Sequence, residues 1–437
     1  MNFKKVLVQS LLWRGLYFFT LLLVNVFLSR YLKAEGAGWV YYLSNIFSFS
    51  LIIISVCIEA GITYFASGKI IEPGKLVWFT LVWNFVVCLM VLLAVSIYIF
   101  FEPEAAAIPH NLYYYLGIFY LSGLFLTNCG TSLFYAENNF FLPNLLLTLW
   151  NVLLIIFIPK TQTAADLNAA TATLTVYFLV FLLQGVSIII AYVLKKKTFA
   201  FISLPTGAEA KKIFKYCSVV MLGNIVLFLV YRIDYLFVNI SPVCTAADLG
   251  NYIQVSKLGQ MLLIIPQIIG SVIFPRTASG LDRKELNTSL MIIARLFAQL
   301  YLIILLVVVF AGHWLFTWLF GETFNEMQLP FIILIPGIFC LSVVNLLSAY
   351  FAGKGKVGVN VKGAMLGLFV VVILDYFFVP VYGIIAAAAI STLGYAVHLA
   401  YPLYIFYKDY DIRLVDFFRW QRADYSWLKS LLANKKE

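Results

Sequence analysis

Apolar runs of membrane-spanning length follow one another along the whole chain, separated by short clusters rich in Gly, Pro, Lys and Asn. A helix that crosses a bilayer needs about 20 mostly apolar residues. That criterion predicts spans at 7–30, 38–66, 76–101, 112–136, 141–159, 168–194, 212–240, 249–275, 288–311, 328–352, 357–378 and 381–407. The breaks fall at Glu72-Pro73-Gly74, Glu102-Pro103, Pro159-Lys160, Leu204-Pro205-Thr206-Gly207 and Gly353-Lys354-Gly355, where Gly and Pro punctuate the backbone. A break at Asn138-Asn139 and a tight turn near Val379-Pro380 complete the set. The predicted fold is all-α and integral to a membrane, with about twelve transmembrane helices in two pseudo-symmetric six-helix bundles. One lobe is expected over 1–200 and a second over 201–408, with a cytoplasmic interfacial tail at 409–437.

Composition agrees with hydrocarbon as the solvent. The 437 residues are 63% hydrophobic and only 11% charged, against roughly 25% charged in a soluble domain. The net charge of +10 suggests nucleic acid in a soluble chain, but here the cations sit between apolar runs and read as topology. With the N-terminus inside, the inner segments and tail hold 23 Lys and Arg, and the outer loops hold three, Arg30, Lys33 and Lys160. This asymmetry is the positive-inside rule. It predicts a multi-pass membrane protein with both termini cytoplasmic. Met1-Asn-Phe-Lys-Lys resembles a signal-peptide start, but Arg14 interrupts the following run and no small-residue cleavage site appears, so a retained first helix is expected. The six cysteines and three histidines show no metal-ligand spacing, so no metal site or cofactor is expected.

A repeat of about half the chain length is the most informative pattern. Gly38-Trp-Val-Tyr-Tyr-Leu-Ser44 precedes an apolar stretch in the second span, and Gly250-Asn-Tyr-Ile-Gln-Val-Ser256 does so in the eighth, 212 positions on. Phe134-Tyr-Ala136 lies eight residues before Asn144, and Tyr350-Phe-Ala352 lies eight before Asn360, 216 positions on. Six spans separate the copies, so both start on the same side of the membrane. Parallel six-helix halves of this kind can rock about a cleft and expose it to each side alternately.

Four stretches give the chain a family likeness. They are Ser29-Arg-Tyr-Leu-Lys-Ala-Glu-Gly-Ala-Gly38; Arg232-Ile-Asp234 with Asp248-Leu-Gly-Asn-Tyr252; Ile265-Pro266 through Phe274-Pro275-Arg276; and Ala352-Gly-Lys-Gly-Lys356 with Val379-Pro-Val-Tyr-Gly-Ile-Ile-Ala-Ala-Ala-Ala389. In these the chain resembles bacterial polysaccharide (O-antigen, Wzx-type) flippases of the multidrug/oligosaccharidyl-lipid/polysaccharide exporter superfamily. Leu32-Lys33 stands where members often have Leu-Gly. The resemblance implies two lobes, a cationic central cavity and a cargo of oligosaccharide on undecaprenyl pyrophosphate. It also implies partners beyond the bilayer and the lipid-linked glycan, namely a polysaccharide polymerase and glycosyltransferases.

Charge inside the spans bears on that cargo. Four cations fall there, Arg14, Arg232, Lys257 and Arg295, and Glu59 and Asp234 are set against them. Each charge costs about 2.5–3.5 kcal/mol on insertion scales unless it faces water or a partner. Surplus positive charge suits an anionic head group, since Arg grips phosphate oxygens bidentately and Lys acts as a point charge. Arg14 and Glu59 reach similar depth and either pair or face the cavity. The same choice holds for Lys257 and Asp234. Arg232 points to a different helical face from Asp234, and Arg295 is near enough to the cytoplasmic end to snorkel. Asp234 or Glu59 could instead carry H⁺ or Na⁺ for coupled transport.

These features leave a flippase, an ion-coupled multidrug or organic-solute antiporter of the same superfamily, and a membrane polysaccharide polymerase. A polymerase would need a sizeable outer loop or soluble catalytic segment, and GxxxxGK[ST] is absent. No enzymatic activity is expected, and no nucleic acid partner.

Overall fold

The computed structural model describes residues 3–101, 111–158, 167–196, 203–278, 283–410 and 424. The expected breaks at Glu102-Pro103 and Pro159-Lys160, and the tail beyond 410 except Asp424, lie outside the described residues. The described chain is helical between short turns. In order the helices are α1 (Phe3–Ile54), α2 (Ile58–Ser67), α3 (Pro73–Phe101), α4 (Asn111–Ala136), α5 (Phe141–Phe157), α6 (Leu167–Lys196) and α7 (Gly207–Arg232). There follow α8 (Asp234–Ile240), α9 (Ala246–Leu262), α10 (Ile264–Ala278), α11 (Arg283–Phe320), a 3₁₀ turn (Glu322–Met327), α12 (Gln328–Gly353) and α13 (Gly358–Tyr410). Among the described residues nine helical stretches are long and apolar enough to cross a bilayer. Two of them, Leu12–Ile54 and Gly358–Asp409, each hold two spans, and the shorter apolar Phe141–Phe157 adds one more. All twelve expected spans therefore have helical counterparts.

The joints differ from the sequence expectation in instructive ways. The first two spans run as one helix bent at a single residue, Lys33, with φ 59° and ψ −179°. That backbone region is open essentially to glycine alone, so Lys33 holds a strained conformation there. The tight turn expected at Val379-Pro380 lies instead at Gly383, φ 60°. Proline tolerates helical φ, whereas the reversal needs a left-handed residue, and the nearest glycine supplies it. The expected 312–327 loop is mostly helix, because α11 continues to Phe320 before Gly321 turns at φ 104°.

Three spans read as continuous are broken. The second stops at Ile54 and resumes at Ile58, with Val56 and Cys57 both left-handed (φ 52° and 53°). The seventh breaks at Ile233 and the eighth at Leu263. The second and eighth, the matched spans of the repeat, are both interrupted, but differently: the first copy turns through left-handed residues and the second at Leu263, φ −73°, at a position the repeat offset does not make equivalent.

The chain clusters into two compact units, Met1–Ile225 and Val226–Glu437, so the division falls inside α7. In the first unit α4 is the hub, packing on α2, α3 and α6. In the second, α12 packs on α9, α10, α11 and α13. These are the fourth and tenth spans, again equivalent, and they are the most enclosed of the spans, at 67% and 61% buried. Glycine permits the closest approach in each. A Cβ on Gly123 of α4 would meet the Phe181 backbone of α6 at 2.2 Å, and one on Gly337 of α12 would meet Thr392 of α13 at 2.9 Å. The two glycines lie 214 positions apart, within the offsets of the repeat. Lipid offers no hydrophobic drive between helices, so small residues that bring backbones together carry the packing.

Candidate functional site

The charged and polar side chains inside the spans fall into separate groups within each unit. In the first unit, Arg14 of α1 is half-buried. Its guanidinium carbon lies 4.6 Å from the Tyr135 ring centroid and 5.8 Å from that of Phe140. The Tyr135 hydroxyl donates to Asn144 Oδ1 at 3.0 Å, and the Asn144 amide donates to the Phe140 carbonyl at 2.7 Å. The repeat residue Asn144 thus pins the aromatic platform on which Arg14 rests. Among the described residues no carboxylate lies within ion-pair distance of Arg14. The pair with Glu59 is therefore not formed.

Glu59 sits in the first turn of α2, just past the left-handed Val56 and Cys57. A helix N-terminus favours a carboxylate there. The break is tied down by the Ser55 hydroxyl, which accepts from Cys57 N–H at 3.1 Å, and by the Asn224 amide, 3.4 Å from Cys57 Sγ. Cys57, Cys129 and Cys217, dispersed in sequence, all fall within the electrostatic reach of Glu59. Among the described residues no group of three or more His, Cys, Asp or Glu side chains could hold a metal ion. A neutral network completes this unit: the Asn151 amide donates to Thr20 Oγ1 at 3.1 Å, and the Gln184 amide donates to Asn151 Oδ1 at 2.9 Å.

The second unit concentrates charge. Arg232, the last residue of α7, donates from Nη2 to Gln260 Oε1 of α9 at 2.8 Å and lies 5.5 Å from the Phe228 ring centroid. Lys257, one turn earlier on α9, is within the field of Arg232. Arg232 therefore meets a neutral amide, with the buried Lys257 amine in its field. Asp234 does not turn to Lys257. Its carboxylate is 1% exposed and accepts from the Tyr252 hydroxyl at 2.5 Å, the Ser391 hydroxyl at 2.8 Å and the Tyr235 N–H at 2.9 Å.

Asp375, on the first half of α13, is a third acid that the sequence reading omits although it lies inside the expected 357–378 span. It is fully buried, and among the described residues neither of its oxygens meets a hydrogen-bond partner. It feels the charge of Asp234. A buried carboxylate without hydrogen-bond partners needs a proton or a small cation beside it, because an isolated buried charge is too costly to keep.

Arg295 of α11 belongs to neither group. It is 5% exposed and makes a two-pronged pair with Asp424, Nε to Oδ2 at 2.8 Å and Nη2 to Oδ1 at 2.6 Å. Snorkelling is thus not its arrangement; a carboxylate 129 positions on comes to it.

With this geometry in view, comparison with known proteins adds one conclusion. No family model and no curated protein matches the sequence. Solved structures do match over nearly the whole length. The lipid II flippase MurJ, in an inward closed conformation, aligns with TM-score 0.65 at 14% identity, covering 93% of this chain and 89% of its own. The Vibrio cholerae MATE transporter VcmN gives 0.64 at 15%, covering 94% and 98%. A MOP superfamily transporter from Pyrococcus furiosus gives 0.60 at 14%, covering 91% and 94%. The chain has the fold of these proteins. At such identities the likeness carries the fold and leaves function to the residues.

Proposed function

We propose that this chain is a transporter of the bacterial inner membrane that flips an oligosaccharide linked to undecaprenyl pyrophosphate from the inner to the outer leaflet by alternating access. Arg14 in the first unit, and Arg232 with Lys257 in the second, are each unit's own candidate contacts for the pyrophosphate. The observation that carries the reading is Arg14, a half-buried guanidinium lying over the Tyr135 and Phe140 rings with no carboxylate to neutralise it among the described residues. An insertion cost of about 2.5–3.5 kcal/mol is tolerated when the group meets an anion in service. A guanidinium fixed by stacking keeps its fork of donors for phosphate oxygens. Arg232 beside Gln260 and Lys257 repeats the logic in the second unit. Asp234 and Asp375 are then the ion-coupling pair, taking H⁺ or Na⁺. Both termini lie in the cytoplasm, and the lipid-linked glycan is supplied by glycosyltransferases and passed to a polymerase.

A second reading, an ion-coupled antiporter for organic solutes, is favoured by the two buried acids rather than by the arginines. Transport assays separate the two. Arg232→Ala is expected to abolish export of the lipid-linked glycan while the protein reaches the membrane at normal abundance. Full complementation by that variant would remove Arg232 from the site and turn the balance to the antiporter.

A further inference from the structure

The second unit holds a cavity of about 290 Å³ between the α8–α9 turn and the reversal of α13 at Gly383. The two turns are tied together beside it. The Ser241 hydroxyl donates to the Val379 carbonyl at 3.2 Å, and the Ile384 backbone hydrogen-bonds the Cys244 thiol. A Cβ at Gly383 would meet Cys244 Sγ at 3.3 Å, so the bare glycine lets the turns approach.

Asp248 gives this cavity its charge, which reaches Cys244. As the third residue of α9 it closes a capping box with Thr245, whose N–H and hydroxyl both donate to Oδ2, at 2.8 and 2.7 Å. That duty occupies one oxygen. Among the described residues Oδ1 meets no donor, and no Lys or Arg pairs with the carboxylate. Tyr382 also lines the cavity, its ring stacked on Phe378 with centroids 6.4 Å apart. The rest of the rim is apolar and exposed, at Val243, Val381 and Ile385. An anion would be repelled here, and a bare metal ion would lack ligands among the described residues. An organic ammonium meets what it needs: a carboxylate for the nitrogen, an aromatic ring for the cation and apolar walls for the carbons. The volume lies at the small end of ligand pockets.

We infer that this cavity binds an organic ammonium group, with Asp248 as its counter-ion and Tyr382 as its aromatic wall. The inference needs neither the flippase nor the antiporter reading, since it concerns a site apart from the buried arginines and acids. The ammonium is carried by a small soluble amine or by a phosphatidylethanolamine head group.

Cys244 is a reporter inside the cavity. Full-length protein in maltoside detergent is alkylated with N-ethylmaleimide, and modification of each cysteine is followed by peptide mass spectrometry with and without ethanolamine. The same rates are read in nanodiscs of phosphatidylethanolamine and of phosphatidylglycerol. In the wild type, ligand at roughly ten times its Kd should slow Cys244 about tenfold by mass action, leaving the half-buried Cys88 and Cys340 unchanged. Asp248→Asn keeps an oxygen for Thr245 but loses the charge, and should raise the protecting concentration about tenfold or more. Tyr382→Ala should raise it about two- to fivefold. Thr245→Ala, which loosens the cap and spares the carboxylate, should protect like the wild type. Protection by ethanolamine in detergent assigns the site to soluble amines, and protection confined to phosphatidylethanolamine discs assigns it to the head group. A wild-type Cys244 that neither protects, or protection that Asp248→Asn retains in full, overturns the inference.

Discussion

The two units share a scaffold and differ in what they enclose. Each has an enclosed hub helix, α4 or α12, with a glycine where a neighbouring helix comes close, and each breaks its second span partway along. Yet the first unit holds a buried neutral network, Thr20–Asn151–Gln184, while the second buries three carboxylates among the described residues, Asp234, Asp375 and the Arg295-paired Asp424. Cations are present in both. Duplication has thus preserved the parts that govern how backbones approach, and the chemistry laid over them has diverged. Under the proposed function, the comparison assigns anion binding to both halves and ion coupling to one.

The strongest way to break that contrast is to neutralise the acids. Asp234→Asn and Asp375→Asn should each abolish coupled transport, measured as ion-dependent uptake in reconstituted vesicles, whereas Asn151→Leu should leave the ion dependence intact. Coupling that survives both acid variants would place it in the first unit, at Glu59. Next in size is the scaffold. Gly123→Ala and Gly337→Ala force a methyl into occupied space and should each cost about 1–3 kcal/mol, read as lower unfolding temperatures. Similar losses from the two would support equivalence of the hubs, and a loss from one alone would undo it. Smallest is Lys33→Gly, which should relieve a strain of about 1 kcal/mol at φ 59° and raise the unfolding temperature slightly.

Much of the architecture was legible in the hydrophobic pattern, because a bilayer imposes one length on every span. Breaks marked by Gly and Pro were found where expected, as at Glu72-Pro73-Gly74 and Leu204-Pro205-Thr206-Gly207. The interruption at Val56-Cys57 was not legible, since left-handed backbone at a β-branched residue is held by tertiary contacts such as Asn224 on Cys57 and leaves no local signal. Depth along a helix located the charges but not their partners. It set Arg14 beside Glu59, where rings from the α4–α5 turn take the guanidinium instead. It also could not bring Asp424 to Arg295 across 129 positions. Asp375 was within reach of a residue count, but its significance comes from the fold, which brings it into the field of Asp234.

The claim on which the rest turns is that arginines oriented by neutral groups bind a diphosphate. Native mass spectrometry of the purified protein with undecaprenyl pyrophosphate, for wild type, Arg14→Met and Arg232→Met, reads it directly. A charge-assisted hydrogen bond is worth about 1.5–3 kcal/mol, so each variant should bind the lipid roughly ten- to hundredfold more weakly while keeping its affinity for undecaprenol, which lacks the phosphates. Equal binding of undecaprenyl pyrophosphate by all three proteins would contradict the account.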